Sequence, residues 1–446
     1  MKTFLWVYTL LFFGLFFLSG CISGQETEQI WTLEGCIQQA LDHNIQLQQM
    51  MLNNETNRID ILQAKAARFP SASASVTWNF AWNREVLSDN RFGSINATNK
   101  TDYGINSNLT LYNGFRINNT IRQSELNYRI GQLDTEAMKD DLRLSVLDAY
   151  LQVLYSAEAV NNSRNQLETT AEDLSLAEER LILGAVSKYD FLLIRAQLAD
   201  EKLTLTNAEN QFALSKVTLL QLMEIPVSDT FTIQLASLDT SMVPYRMSNT
   251  DSIYALALQA RPEIKSAALT IQTADLDVSL ASAGLKPGLS LHGSLNSGYT
   301  SELDSYTYDD QLKNKINPAF GLSLSVPLYQ NREVKSKIET ANIGILNARL
   351  NEADTKNQLR KTIEQACIDI TSSIKEFDAS TEKYHAQRES FQLASEKFKL
   401  GMINSVDFLF EKTNLIAAES NLLQSKYKLI YGIRILDFYT GKPLTQ

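Results

Sequence analysis

The chain has 446 residues but only 18 Gly and 8 Pro, so long uninterrupted elements are expected rather than many short ones joined by turns. Hydrophobic residues make up 44% and charged residues 21%, which excludes a disordered chain. The net charge of -10 argues against nonspecific binding to nucleic acid, and the scattered 3 His and 3 Cys argue against a zinc or redox centre. No cofactor, metal or nucleic-acid partner is therefore expected.

The N-terminus carries an export signal. Lys2 precedes an apolar run from Phe4 to Leu18 that ends in small residues, a pattern typical of a signal peptide over residues 1–20. A transmembrane anchor is the alternative, but the run is about 15 residues long and ~18 are needed to span a bilayer. We therefore predict that this segment is removed on export.

The signal ends in Leu-Ser-Gly-Cys, which is similar to a bacterial lipobox, the motif at which a cysteine is acylated and becomes the first residue after cleavage. This resemblance implies that Cys21 is a lipid-attachment site and that residues 21–30 form a lipidated N-terminal segment. By the same resemblance, Ile22 in place of Asp implies sorting to the outer membrane. The other cysteines, Cys36 and Cys367, lie in helical patterns, where a buried free thiol is favoured over a disulfide.

The mature chain contains one unit twice. Five landmark pairs share one offset, for example 257 minus 40, which is 217: Ala40-Leu41 and Ala257-Leu258, Phe69-Pro70 and Lys286-Pro287, Leu111-Tyr112 and Leu328-Tyr329, Leu183-Gly184 and Leu400-Gly401, and Pro226 and Pro443. A constant offset at separated positions predicts a tandem duplication. The halves are placed at 31–228 and 249–446, joined by a linker at 229–248.

Each half begins with a polar capping residue and an acid, which predicts the start of a helix. The pairs are Thr32 with Glu34 and Asn249 with Asp251. One helix is expected to run from each start to just before Pro70 or Pro287, because proline disfavours helical geometry in the residue before it.

Four segments then alternate between apolar and small or polar residues, which is the period of a two-faced β-strand. They are Ser75–Trp82, Ile105–Leu111, Leu289–Leu295 and Phe320–Val326, with polar loops predicted at 84–102 and 301–316. A proline-free helical pattern follows from about 113 to 183, and a returning helix is predicted from Asp190 to Met223. The second half repeats this pattern with Gly401, Asp407 and Tyr439. Two apolar stripes on the long helix indicate neighbours on both sides, as in the wall of a tube.

The strands have the length and pattern of transmembrane β-strands. Closed membrane barrels begin at about eight strands, so four per chain cannot close one and several chains must share a barrel. A soluble four-stranded sheet is the alternative and explains the alternation equally well, but it does not explain the lipobox or the long helices.

The chain resembles the TolC-like outer-membrane efflux protein family, and in particular an outer membrane factor lipoprotein. The resemblance lies in two tandem halves, each with a helix, two strands, a long helix and a returning helix. The most specific shared motif is a basic residue, three residues, Gly, five residues, Asp and apolar positions at the helix turn. It stands as Arg180, Gly184 and Asp190, and again as Lys397, Gly401 and Asp407. The resemblance implies a mainly α fold with transmembrane β-strands. Four strands per chain would contribute to a trimeric twelve-stranded barrel, continued by a long α-helical periplasmic barrel.

The same resemblance nominates site residues. It places Gly184 and Gly401 at adaptor-docking helix tips, and Asp190 and Asp407 at the channel constriction. The structural alternatives are a helix C-cap for the glycines and the N-cap of the returning helix for the aspartates. Relatives with a polar lock carry Tyr, Arg and Asp at three positions that are apolar here. These positions hold Phe398, Ile403 and Phe410, so closure of the channel by apolar packing is expected.

Members of this family are exit ducts that catalyse nothing, so the resemblance implies an outer-membrane role in a tripartite efflux or secretion system. The implied partners are a homotrimer, a periplasmic adaptor (membrane fusion) protein, an inner-membrane transporter and outer-membrane lipid. Two alternatives remain: a type I protein secretion duct, and a periplasmic adaptor lipoprotein, which would have one helical hairpin between Gly-rich β-domains. An enzyme is disfavoured because Gly-x-Ser-x-Gly, His-Glu-x-x-His and Walker-type motifs are absent from the sequence.

Overall fold

The computed structural model describes residues 30–86, 92–227, 231–234 and 249–442. The first half contains β1 (Ile30–Trp31), α1 (Leu33–His43), α2 (Ile45–Ala66), β2 (Ser71–Val86), β3 (Phe92–Asn113), α3 (Arg116–Ile182) and α4 (Lys188–Leu222). The short strand β4 (Thr232–Ile233) pairs with β1 in parallel. The second half contains α5 (Thr250–Ala260), α6 (Pro262–Ser282), β5 (Gly288–Thr300), α7 (Tyr308–Asn314), β6 (Asn317–Ser325), α8 (Glu333–Lys399) and α9 (Ser405–Tyr439).

The two halves keep one offset along their helices. Helices α3 and α8 begin at 116 and 333 and end at 182 and 399, and both differences are 217. Helices α4 and α9 begin at 188 and 405, which gives the same difference. The prediction of tandem repeated halves is confirmed, because the long helices of one half have counterparts at this offset in the other. Helix α7 is an exception, since the equivalent positions of the first half, from Phe92 onward, belong to β3.

Four strands form one antiparallel sheet in the order β2-β3-β5-β6, so the two halves meet between β3 and β5. One face carries apolar side chains such as Val76, Trp78 and Leu322, which are 63–67% exposed in the single chain. The other face carries small and polar residues such as Ser75 and Thr77. The predicted two-faced strands are confirmed. Within the described ranges, the outer strands β2 and β6 each have one free edge.

The loop predicted at 84–102 is wrong, because β2 continues to Val86 and β3 begins at Phe92. The backbone there stays paired, for example Trp82 with Ala97, although the side chains no longer alternate cleanly. Pairing with a regular neighbouring strand outweighs a weak local pattern. The loop predicted at 301–316 contains α7, which begins with a capping box at Thr307.

The first helix of each half was predicted as one element and is two. The caps Thr32 and Asn249 are confirmed, but α1 ends before Asn44, whose side chain accepts from the amide of Leu47 at 3.1 Å and starts α2. In the second half the break precedes Pro262, which lacks an N–H and fits the first helical position. The breaks let α1 and α5 pack across the middle of the long helices.

The core is concentrated near the middle of the long helices. One cluster packs α1 against α3 through residues that include Cys36 and Val146. A second cluster packs α5 against α8 through residues that include Ile253 and Cys367. Both cysteines are buried and unbridged, as the sequence predicts.

The long helices form a wall in the same order as the strands. Helix α2 lies against α3, α3 against α6, and α6 against α8, so α2 and α8 are the edges. With 67 residues each, α3 and α8 are about 100 Å long at ~1.5 Å per residue. The edge helices expose apolar side chains at helical spacing: Ile45, Leu52 and Ile59 on α2, and Ile343, Leu346 and Leu350 on α8. Sheet and wall therefore share the same two open edges.

The passage from strand to long helix has the same unusual backbone in both halves. Gly114 and Phe115 have φ of 70° and 69°, and their counterparts Asn331 and Arg332 have φ of 44° and 65°. This left-handed region costs an L-residue about 1–2 kcal/mol. A Cβ on Gly114 would also stand 2.9 Å from the carbonyl oxygen of Ala283. The turn therefore accepts Asn in the second half but needs Gly in the first.

We expect Gly114→Ala to lower stability by about 2 kcal/mol or more, because the new methyl group adds a close contact to an unfavourable backbone conformation. The matched variant Asn331→Gly, at the counterpart position, should be neutral or stabilise by up to about 1 kcal/mol. Thermal unfolding of the detergent-solubilised protein, followed by circular dichroism, measures both changes. An unchanged midpoint for Gly114→Ala would contradict this description of the turn.

Candidate functional site at the helix turns

Each half reverses direction at a glycine. Gly184 follows α3 with φ 69° and Gly401 follows α8 with φ 73°. The amide of Ala185 donates to the carbonyl of Arg180 at 2.9 Å, which closes the end of α3. Among the described residues, no heavy atom lies within 4 Å of the place where a Cβ would stand at either glycine. The turns are therefore exposed C-caps, and glycine suits them because of the backbone conformation rather than close packing.

The aspartates after the turns occupy the third position of the returning helices. Ser187 Oγ accepts from the amide of Asp190 at 3.1 Å, and Asn404 Oδ1 accepts from the amide of Asp407 at 2.8 Å. The N-caps are therefore Ser187 and Asn404, and the alternative that the aspartates are N-caps is wrong. A carboxylate in the first turn is stabilised by the positive end of the helix.

The two aspartates have different surroundings. Asp190 accepts a 2.6 Å hydrogen bond from the Ser187 hydroxyl and faces Ser405 across a cleft of about 330 Å³ between the two turns. The hydrogen bond from Ser187, with a smaller contribution from the nearby Ser405, holds the pKa of the Asp190 carboxyl below its usual range. Asp407 is exposed, and its carboxylate has no partner in the part of the chain that the structure describes. A single chain thus brings Asp190, but not Asp407, to the opposite turn.

Arg180 fastens the first turn to the second. Its guanidinium donates to the carbonyl of Phe398 at 2.7 Å and also to that of Lys399, at the end of α8. A cation at this position satisfies carbonyls that lack an intrahelical partner and lie at the negative end of the helix. The sequence motif marked Arg180 only as a basic position. Its contact with the other half follows from the hairpins lying side by side, which no local pattern encodes.

An apolar cluster behind the turns packs the two hairpins together. Its buried members are Ala177, Ile194, Phe398 and Phe408. The rings of Phe398 and Phe408 stack with their centroids 4.5 Å apart. Of the residues that stand at the polar-lock positions, Phe398 and Ile403 join this cluster, whereas Phe410 is 64% exposed. Apolar packing thus joins the two hairpins within one chain.

Beyond this cluster the seam between the hairpins is polar. The buried ammonium group of Lys412 on α9 donates to Thr170 at 2.6 Å and to Asp173 at 3.0 Å, both on α3. Thr170 in turn donates to the buried carboxylate of Glu201 on α4. The sequence did not predict this network, because Lys412 and Thr170 are 242 positions apart. Removing one member would leave a buried charge without its partner, which is strongly destabilising.

The turns also expose large apolar side chains, namely Ile182, Leu183, Leu400 and Met402. Clustered exposed apolar residues mark surfaces that bind other proteins.

Cys21, the predicted lipid-attachment site, lies outside the described residues. Over the described ranges, no group of three or more His, Cys, Asp or Glu is placed to hold a metal ion. None of the helices described is both long and apolar enough to cross a membrane.

Comparison with known proteins identifies relatives of both halves. The profile of the family described as outer membrane efflux protein matches residues 36–223 and 253–441. Nodulation protein T of Rhizobium leguminosarum bv. viciae is 22% identical over 314 residues, which cover 70% of this chain and 61% of that protein. Outer membrane protein TolC of Salmonella enteritidis is 24% identical over 313 residues, which cover 67% and 61%. The chain thus matches about three fifths of the length of these relatives.

A solved structure shares the fold. The Campylobacter jejuni CmeC outer membrane channel superposes with a TM-score of 0.79 at 20% identity, covering 93% of this chain and 87% of that chain. The two profile matches fall on the two halves in the same order as the repeated elements, and together they cover most of the sequence. The chain therefore belongs to the outer membrane efflux protein family.

Proposed function

We propose that this chain is the outer-membrane exit duct of a tripartite efflux or secretion system, passing cargo from an inner-membrane transporter through a periplasmic adaptor to the exterior. One observation carries the proposal: a sheet with one apolar and one polar face leads directly into a wall of helices about 100 Å long. Such a sheet can line a water-filled pore through a membrane, and the helices extend that pore. An adaptor would have one long helical hairpin, whereas the described part of this chain has two.

The duct is a homotrimer. A sheet edge in lipid leaves backbone groups without partners at several kcal/mol each, so the free edges of β2 and β6 need pairing. Four strands are too few for a membrane barrel, which needs about eight or more. Three copies supply twelve strands, as the family resemblance implies. The apolar stripes of α2 and α8 are then buried between copies.

The N-terminal region exports and anchors the chain. Residues 1–20 act as the signal peptide and residues 21–30 as a segment lipidated on Cys21, supported by the Leu-Ser-Gly-Cys signature. The duct then consists of efflux repeats at 31–228 and 249–446, joined by the linker at 229–248. The lipid adds to a membrane attachment that the barrel already provides.

The helix turns form the periplasmic end of the duct. Gly184 and Gly401 present exposed apolar turns to the adaptor, and Asp190 and Asp407 narrow and charge the entrance. Three copies bring three Asp407 carboxylates near one axis, where like charges in a confined mouth attract cations and repel one another. Asp190 contributes less to this field, because it lines the cleft between the turns together with the cation Arg180. The chain itself performs no catalysis.

Purified protein should insert into planar bilayers as discrete channels. Leu52→Asp should reduce the fraction of protein that forms trimers about tenfold or more, because three carboxylates would enter an apolar contact between copies. Leu52 is exposed in the single chain, so folding should be unaffected. The matched variant Asn53→Asp places the same charge outside the stripe and should form channels normally. Bilayer conductance and native mass spectrometry measure the outcome; intact trimers for Leu52→Asp would contradict the proposal.

Asp407→Asn should weaken cation selectivity, measured as the reversal potential across a salt gradient, because it removes three converging charges from the mouth. The counterpart variant Asp190→Asn should change selectivity less. Trimers should survive both changes. If Asp407→Asn leaves selectivity intact but lowers the thermal midpoint, Asp407 only stabilises the start of α9 and the constriction lies elsewhere.

Cys21→Ala should abolish incorporation of a radioactive fatty acid while leaving much of the protein in the membrane fraction, because the barrel remains. Cys36→Ala, which removes a buried thiol, serves as the control and should label fully. Undiminished labelling of Cys21→Ala would rule out this residue as the lipid-attachment site.

A further inference from the structure

The contact between the two halves of one chain indicates how two copies meet. The halves share one fold at an offset of 217, and the first half lies against the second through β3 and β5 and through α3, α4 and α9. In the proposed trimer, on which this inference rests, the free edge of the second half meets the first half of the next copy. Each contact observed within the chain then has a counterpart between copies. The counterpart is found by adding 217 to the number of the residue in the first half and subtracting 217 from that of the residue in the second half.

In the sheet this rule gives a register between β6 of one copy and β2 of the next, in which the apolar side chains of both strands lie on the same face. Ile105 pairs with Leu295 within the chain, and their counterparts are Leu322 and Trp78 of the next copy (105 plus 217, and 295 minus 217). The adjacent counterpart pairs are Phe320 with Phe80 and Leu324 with Val76. All six are exposed apolar side chains in the single chain. A slip of one residue would turn apolar side chains to the polar face, so the matching faces exclude a slip by any odd number of residues.

In the helical wall the rule gives pairs of opposite charge. Lys426 on α9 donates to Glu158 on α3 at 2.8 Å within the chain. The counterpart of Glu158 is Lys375 and that of Lys426 is Glu209, so acid and base exchange places and still attract. Both counterparts are exposed, and Glu209 lies 3.4 Å from Arg164 in a solvent-exposed contact.

The buried polar network gives a second pair. The counterparts of Thr170, Asp173 and Lys412 are Gln387, Ser390 and Arg195. Within the chain, Gln387 and Ser390 both donate to the carboxylate of Glu411, at 2.7 and 2.8 Å. Arg195 of the next copy would therefore approach a carboxylate that is already oriented by two hydrogen bonds.

The turns give a third pair. Asp190 faces Ser405 in the cleft within the chain, and their counterparts are Asp407 and Lys188 of the next copy. Lys188 is exposed on α4 and carries the charge that would offset the carboxylates gathered at the mouth. A closed mouth would therefore cost less than three bare carboxylates suggest.

One counterpart pair is repulsive. Gln166 donates to Glu419 at 2.9 Å, and the counterparts are Lys383 and Lys202. Both lysines are exposed, where such interactions are weak. Three attractive pairs against one repulsive pair leave a net attraction that salt should weaken.

We infer that neighbouring copies join along this seam through three ion pairs: Lys375 with Glu209, Glu411 with Arg195, and Asp407 with Lys188, the second residue of each belonging to the next copy. The pairs lie at three separate heights of the helical wall. They align the helices of one copy with those of the next in the same register that the sheet requires.

A double-cysteine variant of the full chain tests this register. Glu209→Cys with Lys375→Cys should be joined by a short bis-thiosulfonate reagent into covalent trimers, because each copy offers one thiol to each neighbour. The matched variant Glu158→Cys with Lys426→Cys has the counterpart geometry within one chain and should give an internally crosslinked monomer. Single-cysteine variants should give no covalent product on a denaturing gel.

The native thiols do not interfere with the test. Cys36 and Cys367 are buried, and burial raises the pKa of Cys36 to about 12, so its reactive thiolate is scarce. Covalent trimers would support the inferred seam. Trimers in native mass spectrometry that give no covalent product, while the Glu158 and Lys426 control reacts, would overturn the seam and leave the proposed duct intact. Monomers in native mass spectrometry would overturn both.

Charge reversal provides a second measurement. Glu209→Lys should lower the temperature at which trimers dissociate, and adding Lys375→Glu should restore it, because the pair regains opposite charges. Both residues are exposed in the single chain, so misfolding is not expected to obscure the result. A double variant that is no more stable than Glu209→Lys alone would overturn the ion pair.

Discussion

Unpaired backbone at the two outer strands is the constraint from which most of this structure follows. In the proposed membrane setting each such group would cost several kcal/mol, so β2 and β6 need partners that the described part of one chain does not supply. Because the strands lead into helices, the pairing of strands also decides which helices meet. The wall of helices repeats the order of the sheet, and its exposed apolar stripes lie at the same edges. In the proposed trimer, the same contacts between copies would therefore close both the sheet and the wall.

The turns between strand and long helix transmit this order. Two consecutive residues with positive φ occur at the same place in each half, Gly114 with Phe115 and Asn331 with Arg332. Non-glycine residues in that conformation persist only where the surrounding structure determines it. A strained but fixed turn holds the helix at one orientation relative to its strand, whereas a flexible loop would let the two move separately. The rigid wall thus depends on a few unfavourable dihedral angles.

The duplication, the two-faced strands and the 67-residue helices could be predicted from the sequence, because each depends on a local period or a repeated register. The features that were missed depend on distant partners. Lys412 resembles any surface lysine until α3 and α9 lie side by side, and Arg180 has no visible target until the second hairpin is placed beside the first. At the site itself the glycine turns were predicted, but Ser187 and Asn404 were not recognised as the caps, although each stands three residues before an aspartate.

The constant offset between the halves also bears on ancestry. A chain of half this length would contain one strand pair and one long hairpin, so six copies of such an ancestor would complete a ring like the one proposed for three copies of this chain. Fusing two units creates two kinds of boundary, one inside each chain and one between chains. The residues at the two boundaries can then mutate independently. Divergence is visible at counterpart positions, where Arg180 stands against Lys397 and Ser405 against Lys188. The boundary inside each chain holds an apolar cluster shared by both halves and a buried lysine, while the proposed boundary between chains carries exposed charges. In the proposed trimer, stiffer and more flexible boundaries would alternate around the ring, and the ring would flex with threefold rather than sixfold symmetry.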